Sequence, residues 1–227
     1  MVFGSDQRIF TFVGPVGVGK STQMFLLKSF LKSRRINVVT SYIKSTQGLA
    51  FLLSKFLILV GGSEEIIFPD GKTQIYPKKH LMSSLFGLWT LLDTFSIFLK
   101  FFFTVYLPFR LGFVVLIEEG FMMTIFTYEK SFPVLFKIES RTPRLIHLLV
   151  KWMSNRNITL IFDASDDDLK ERRRSRAFRQ SELSVFINMQ RDWMKHFTYD
   201  KTILIDTTNR NAKQVHNELI TALFNSN

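Results

Sequence analysis

The sequence predicts a doubly wound α/β fold built on a five-stranded parallel sheet, and three observations carry that reading. Five short runs rich in β-branched residues and Phe have the composition of buried strands: Arg8 to Val13, Ile36 to Ser41, Phe113 to Ile117, Ile158 to Asp163 and Thr202 to Asp206. Long helical patterns separate these runs, an alternation that implies right-handed crossovers and helices on both faces of the sheet. A glycine-rich stretch stands between the first strand and the first helix, at the carboxyl end of a strand, where ligands of such sheets bind.

The size suits the prediction, since 227 residues fit one α/β domain with a sizeable core, and a single domain over 1–227 is expected. There is no Cys, which excludes disulfides and thiolate metal sites and is compatible with a reducing cytoplasm, the expected location. The four His residues are scattered and lack metal-ligand spacing. A formal charge of +11 and a pI near 9.9 predict affinity for anions, and phosphates, nucleic acid or an acidic membrane surface all satisfy that. The polar start from Met1 to Arg8 leads straight into an apolar strand, has no signal-peptide pattern, and reads as a mature start.

The stretch Gly14-Pro-Val-Gly17-Val18-Gly19-Lys20-Ser21-Thr22 fills the pattern G-x-x-x-x-G-K-[ST] and is flanked by a strand and a helix as that pattern requires. Glycines at 14, 17 and 19 allow a tight turn whose N–H groups converge on phosphate oxygens, and the helix N-terminus adds positive potential. Lys20 can reach the β- and γ-phosphates, and the Ser21 hydroxyl is placed for Mg²⁺. The expected class is therefore a P-loop NTPase, with ATP and Mg²⁺ as cofactors and Gly14, Gly17, Val18, Gly19, Lys20, Ser21 and Thr22 as the nucleotide cradle.

Between the second and third strands lies the longest connection, about residues 47–112, which is assigned to the acceptor side. It holds a helix near Gln47 to Val60, a small hairpin around Pro69-Asp70-Gly71, and a Phe-rich helix from about Leu81. From Leu85 to Ile117 the chain is strongly apolar, but Asp93, Lys100, Pro108 and Arg110 interrupt it. A charged residue at mid-membrane costs roughly 2.5 to 3.5 kcal/mol on insertion scales, so the segment is read as a buried core helix or a homodimer face, with membrane-surface contact as the alternative.

With these motifs in place the chain resembles the thymidylate kinase family of nucleotide kinases, from Ile9 to about Leu223 and most closely at the phosphate loop. The resemblance implies a nucleotide kinase fold and γ-phosphate transfer from ATP to a nucleoside monophosphate or related small acceptor. At the end of the third strand the family's Asp-Arg-Tyr is matched by Glu119-Gly120-Phe121, with Thr124 and Tyr128 at the following polar positions; Glu119 would thus be catalytic and contact Mg²⁺. The family's arginine is missing at Gly120, and a second is missing near Thr94, leaving Lys44 as the basic candidate on the acceptor side. Glu118, one residue earlier, points to the opposite side of the strand and is given the lesser role.

The basic stretch Asp168 to Glu182 resembles the family's lid, here about residues 166–182, in which Arg172 and Arg176 share a helix face at i and i+4 and Arg179 follows one turn later. Arg172 and Arg176 would close on the transferring phosphoryl group, and Arg179 would bind the nucleotide, since guanidinium groups stay charged and grip two oxygens at once. Asp163 could orient a Mg²⁺-bound water or cap a helix, and Asp206 to Asn209 could touch adenine or form a polar turn. Trp89, Phe95 and Phe98 could line an acceptor pocket or fill the core. Two other readings stay open: a nucleotide-binding regulatory protein without efficient turnover, and a nucleic-acid- or membrane-associated ATPase on the same fold.

Overall fold

Residues 7–67, 73–174, 183–196 and 201–224 are described by the computed structural model. Five parallel strands form the central sheet: β1 (Ile9–Val13), β2 (Val38–Tyr42), β5 (Val114–Glu118), β6 (Asn157–Asp163) and β7 (Thr202–Asp206), in the order β2-β5-β1-β6-β7. The antiparallel hairpin of β3 (Ser63–Ile67) and β4 (Thr73–Pro77) stands apart from it; its expected turn at Pro69 to Gly71 lies outside the described residues. The parallel five-stranded sheet covered by helices on both faces is the α/β fold that the sequence predicts.

Alternation along the strands divides the apolar residues into two layers. Phe10, Phe12, Leu116, Leu160 and Phe162 pack on one face against Leu27 and Leu31 of α1 (Lys20–Ser33) and Leu219 of α11 (Ala212–Phe224). The rings of Phe12 and Phe162, on neighbouring strands, stack at 5.7 Å between centroids. The other face, Ile9, Val115 and Ile117, meets Ile97 and Phe101 of α4 (Phe86–Phe101), Phe121 of α6 (Gly120–Phe126) and Ile146 of α8 (Arg144–Ser154).

The long connection between β2 and β5 contains α2 (Gly48–Gly61), the hairpin, the short helix α3 (Lys79–Ser84) and α4. From α4 the chain continues through a π-helical turn (Phe102–Tyr106) into α5 (Leu107–Arg110). Ile97, Phe101, Val105 and Phe109 recur every fourth residue and are buried, which bears out a core role for one stripe of this helix. Its opposite stripe is exposed. Trp89 is fully buried, with its indole N–H donating to Ser54 Oγ at 2.9 Å, and Phe95 is exposed on the far side. Those two residues and Phe98 therefore belong to packing or to the outer face, and none lines the cavity described below.

After α6 a second π-helical turn (Thr127–Ser131) leads into α7 (Phe132–Phe136). The stretch expected to form a lid begins as α9 (Asp166–Arg174); Arg176 and Arg179 lie outside the described residues, and the chain is next described in α10 (Leu183–His196).

Candidate functional site

β1 delivers the glycine loop at the centre of the sheet, between β5 and β6. Gly14 has a φ of +142°, and a Cβ there would stand 2.1 Å from the carbonyl oxygen of Phe162, so only glycine fits against β6. The loop then turns into α1, with Lys20 as its first residue. The Lys20 ammonium is nearly buried and donates to the carbonyls of Gly14 at 2.7 Å and Pro15 at 3.0 Å, which folds it back over the loop.

Next to it, the Ser21 hydroxyl donates to Glu118 Oε1 at 2.5 Å. The sequence expectation placed Ser21 and Glu119 together at Mg²⁺, whereas the carboxylate that meets Ser21 here is that of Glu118. The register explains the difference: Glu118 is the last residue of β5, level with Phe12 of β1 and Tyr42 of β2, so its side chain reaches the start of α1. Glu119 has already left the ladder with φ +68° and ψ −55°, its N–H held by the carbonyl of Phe12 at 3.0 Å. Its carboxylate turns toward Lys44, 3.7 Å away.

Gly120 lies close against β1. A Cβ on it would meet the Thr11 side chain at 2.6 Å, and its φ is +64°. The missing side chain thus lets α6 start tightly against β1, where a larger residue would collide. Thr124 is buried and bonds back to the Gly120 carbonyl, and Thr94 likewise bonds to the carbonyl of Thr90. Tyr128 is fully buried with its hydroxyl on Asp93 Oδ2 at 2.7 Å.

Two cavities flank the loop. The larger, about 550 Å³, lies on the β2–β5 side and is walled by Val16, Tyr42, Lys44, Phe51, Lys55 and Glu119, among others. The smaller, about 310 Å³, is bounded by Gly17, Val18, Gly19, Thr22, Arg172, Thr207 and Arg210. The phosphate loop contributes Val16 to one and the three residues that follow it to the other.

Of the three arginines expected in a lid, Arg172 is the one among the described residues, and it stands on the smaller cavity. It donates to the Thr207 carbonyl at 2.7 Å, to Thr207 Oγ1 at 3.0 Å and to Asp168 Oδ2 at 3.3 Å. The sequence expectation gives Arg172 a place over the transferring phosphoryl group; here its guanidinium is held against Thr207 at the wall of the smaller cavity. Asp206 accepts from both the N–H and the hydroxyl of Thr208, so it forms the polar turn, while Thr207 faces the cavity. Asp163 accepts from Arg191 Nε at 2.9 Å and also from its Nη2, so its carboxylate is occupied by a guanidinium.

Electrostatics mark the larger cavity. Burial, followed by the charge of Glu119, drives the Tyr42 hydroxyl well above the usual phenol range. Burial also pushes Tyr76 up to about 12. Asp93 is completely buried and its carboxyl is pushed up to about 6 by burial, partly offset by hydrogen bonds from Tyr128, Gln47 and Thr46. Its Oδ1 accepts the backbone N–H of Thr46 at 2.8 Å and of Gln47 at 3.2 Å, which caps the start of α2 from a neighbouring helix.

The oxygens of Ser21 and Glu118 suit a hard divalent cation of the Mg²⁺ type, which commonly takes only one or two protein ligands and completes its shell with phosphate oxygens and water. Among the described residues no group of three or more His, Asp or Glu converges on a metal site.

Sequence reasoning singled out the loop, Lys44 and the stretch Asp206 to Asn209 that holds Thr207, but passed over Tyr42, Lys55 and Arg210, and it gave Glu118 the lesser role. The signal for Glu118 was present: it ends an apolar strand that runs beside β1, level with Phe12 just before the phosphate loop.

No family model matches the chain, and no curated protein matches it. Among solved structures it is similar to the thymidylate kinase of Ehrlichia chaffeensis, with a TM-score of 0.51 and 18% identity, over 96% of this chain and 98% of that one. The likeness runs the whole length of both chains and extends to the fold.

Proposed function

We propose that the chain is an ATP-dependent phosphotransferase that moves the γ-phosphate of ATP to a small acceptor, a nucleoside monophosphate or a related molecule. The observation that carries this reading is the position of the phosphate loop between two cavities, one at Gly17 to Gly19 and the other at Val16. A donor nucleotide in the first and an acceptor in the second would meet across the loop, which supplies the proximity that phosphoryl transfer depends on.

In this reading an acceptor oxygen attacks the γ-phosphorus in line, the bond to the β-phosphate oxygen breaks, and ADP leaves. Lys20 swings from the Gly14 and Pro15 carbonyls onto the phosphates and neutralises charge there. Ser21 and Glu118 would hold Mg²⁺, which draws charge from the phosphate oxygens when bound. Glu119 and Lys44, at the wall of the larger cavity, orient the acceptor. Arg172 and Thr207 border the nucleoside. Arg176 and Arg179 are proposed as phosphate-binding lid residues on the strength of the family resemblance.

A nucleotide-binding role without efficient turnover is the second reading, and it draws on one observation. Of the two lysines on the larger cavity, Lys44 is already paired with Glu119, which lowers the positive charge available to an anionic acceptor. Coupled ATP turnover over a panel of nucleotides and small alcohols, with Mg²⁺ present or chelated, separates the two. Acceptor-dependent, Mg²⁺-dependent ADP release that Lys20→Ala abolishes supports the kinase. ATP binding with no acceptor-dependent turnover across the panel removes it.

A further inference from the structure

The larger cavity is lined by three buried side chains that no other described part of the chain satisfies. Ser45, on the connection from β2 to α2, is 1% exposed, and its hydroxyl has no hydrogen-bond partner. Ser131, at the end of the second π-helical turn, and Gln190, on α10, are 6% and 5% exposed and are likewise without a partner among the described residues. All three face the same space. Buried polar groups are nearly always paired, so three orphans around one cavity are the mark of hydrogen bonds that a ligand completes.

The other polar groups of the wall are already committed. Ser54 accepts from Trp89 and donates to the Ala50 carbonyl, Thr127 donates to the Met123 carbonyl, and Gln47 Oε1 accepts from Lys100 at 2.6 Å. Charges are occupied too: Glu119 pairs with Lys44, and the ammonium of the exposed Lys55 lies over the Phe51 ring, 5.3 Å from its centre. Thr46 and Gln47 lead into α2 at the cavity, but their N–H groups go to Asp93, and that of Leu49 goes to Ser96. A phosphate group bound here would need free cations or free N–H donors. Among the described residues the cavity offers uncharged groups that can both donate and accept.

We propose, on the reading that the chain is a kinase, that the larger cavity takes its acceptor as an uncharged nucleoside and not as the monophosphate. Phe51, Phe126 and Phe132 on its wall supply aromatic surface for a base. The Gln190 amide carries a donor and an acceptor in one plane, the pattern that pairs with the edge of a base, and the two serine hydroxyls suit the hydroxyls of the sugar. Gln190 is held in place by its neighbours on α10, since Arg191 grips Asp163 and the Trp193 N–H donates to the Met122 carbonyl at 3.3 Å. In the transfer a nucleoside hydroxyl oxygen bonds to the γ-phosphorus, the bond from that phosphorus to the β-phosphate oxygen breaks, ADP leaves, and the hydroxyl proton passes to water. The product is a nucleoside monophosphate.

The test is calorimetric titration of the full chain, in ADP and Mg²⁺, with thymidine, uridine, cytidine, adenosine and guanosine and with their 5′-monophosphates. At least one nucleoside should bind more tightly than its own monophosphate. Gln190→Leu and Ser45→Ala should each weaken that nucleoside by about tenfold, leave ADP binding unchanged, and keep the thermal midpoint level or raise it, because each removes an unpaired buried group. A merely structural role would lower the midpoint, and Gln190→Met replaces the leucine variant if that one does not fold. Chromatography of the products formed with ATP reads the transfer. Absence of nucleoside binding, tighter binding of every monophosphate, or nucleoside binding that both variants leave unchanged overturns the inference, and monophosphates phosphorylated in that case leave the kinase reading standing. Nucleoside binding that both variants weaken, with no phosphorylated product, upholds the assignment of the cavity and removes the kinase reading.

Discussion

Ser21 and Glu118 are joined by a 2.5 Å hydrogen bond between the first turn of α1 and the last residue of β5, with the serine hydroxyl as donor. Sequence matching alone gives the catalytic acid to Glu119, whose carboxylate instead faces Lys44. The two carboxylates therefore have separable roles. Glu118→Gln removes charge from the Mg²⁺ side and should cut kcat by about 10² or more while raising the Mg²⁺ concentration needed for half-maximal rate. Glu119→Gln should act mainly on KM for the acceptor. A Mg²⁺ titration shifted by Glu119→Gln and not by Glu118→Gln would reverse these roles.

Lys20 is held by two carbonyls of its own loop, so its charge is positioned before any nucleotide arrives. Lys20→Ala should reduce turnover by about three orders of magnitude, in the range of single electrostatic contributions to a transition state. Its thermal midpoint should fall little, because Phe12, Leu27 and Leu31 hold the loop's strand and helix independently of the ammonium. Near-normal turnover in a folded Lys20→Ala chain would remove the phosphate loop from the chemistry.

Arg172 is anchored on Thr207 and Asp168 beside the smaller cavity, which the proposed function gives to the nucleoside of ATP, a position suited to ground-state binding. Arg172→Ala should therefore raise KM for ATP by about tenfold with a smaller change in kcat. A fall in kcat at unchanged KM would return it to the lid role that its spacing with Arg176 suggests.

Thymidylate should be a poor acceptor. Gly120 is fitted against Thr11 and cannot be replaced by a longer residue without moving β1 or α6. Thr94 is turned back onto its own helix. Each hydrogen bond to a charged group contributes roughly 1.5 to 3 kcal/mol, so two missing arginine contacts should leave KM for thymidylate raised by a hundredfold or more. Steady-state rates across nucleoside monophosphates measure this directly, and thymidylate as the best acceptor would contradict it.

The strands of the sheet and the cradle were legible because both are local: β-branched runs fix the strands, and the glycine-lysine-serine spacing fixes the loop. The boundaries shifted by a residue or two, as with β2 at Val38–Tyr42 against Ile36 to Ser41. What could not be read was decided by non-local packing. Whether Glu118 or Glu119 meets Ser21 depends on a parallel register between strands more than a hundred residues apart in the chain. Which stripe of the Phe-rich helix is buried depends on the sheet beneath it, since both stripes are apolar. Trp89 gave no sign that its partner is Ser54.

Asp93 makes the pH dependence of stability a test of the acceptor-side architecture. Its carboxyl is raised from 3.8 to about 6, chiefly by burial. An acid raised in this way binds its proton more tightly folded than unfolded, so stability is highest below about pH 4 and falls as pH rises to 6. At about 1.4 kcal/mol per unit the charge costs the fold about 3 kcal/mol above that window. Asn at this position can accept the Thr46 and Gln47 N–H groups on its oxygen and donate to the Tyr128 hydroxyl from its nitrogen, which keeps the cap without the charge. Asp93→Asn should thus match the parent at pH 4 and exceed it at pH 7, where its unfolding midpoint in urea should be higher. Asp93→Ala should be destabilised at both, by about 3 kcal/mol, because three buried or half-buried donors lose their acceptor together. Thr46 and Gln47 also wall the larger cavity, so ionisation of Asp93 reaches the site through the backbone it caps. KM for the acceptor should change between pH 5 and 7 in the parent and stay flat in Asp93→Asn. A parent chain whose stability relative to Asp93→Asn is unchanged from pH 4 to 7 would mean that the carboxylate is not held in the interior at all.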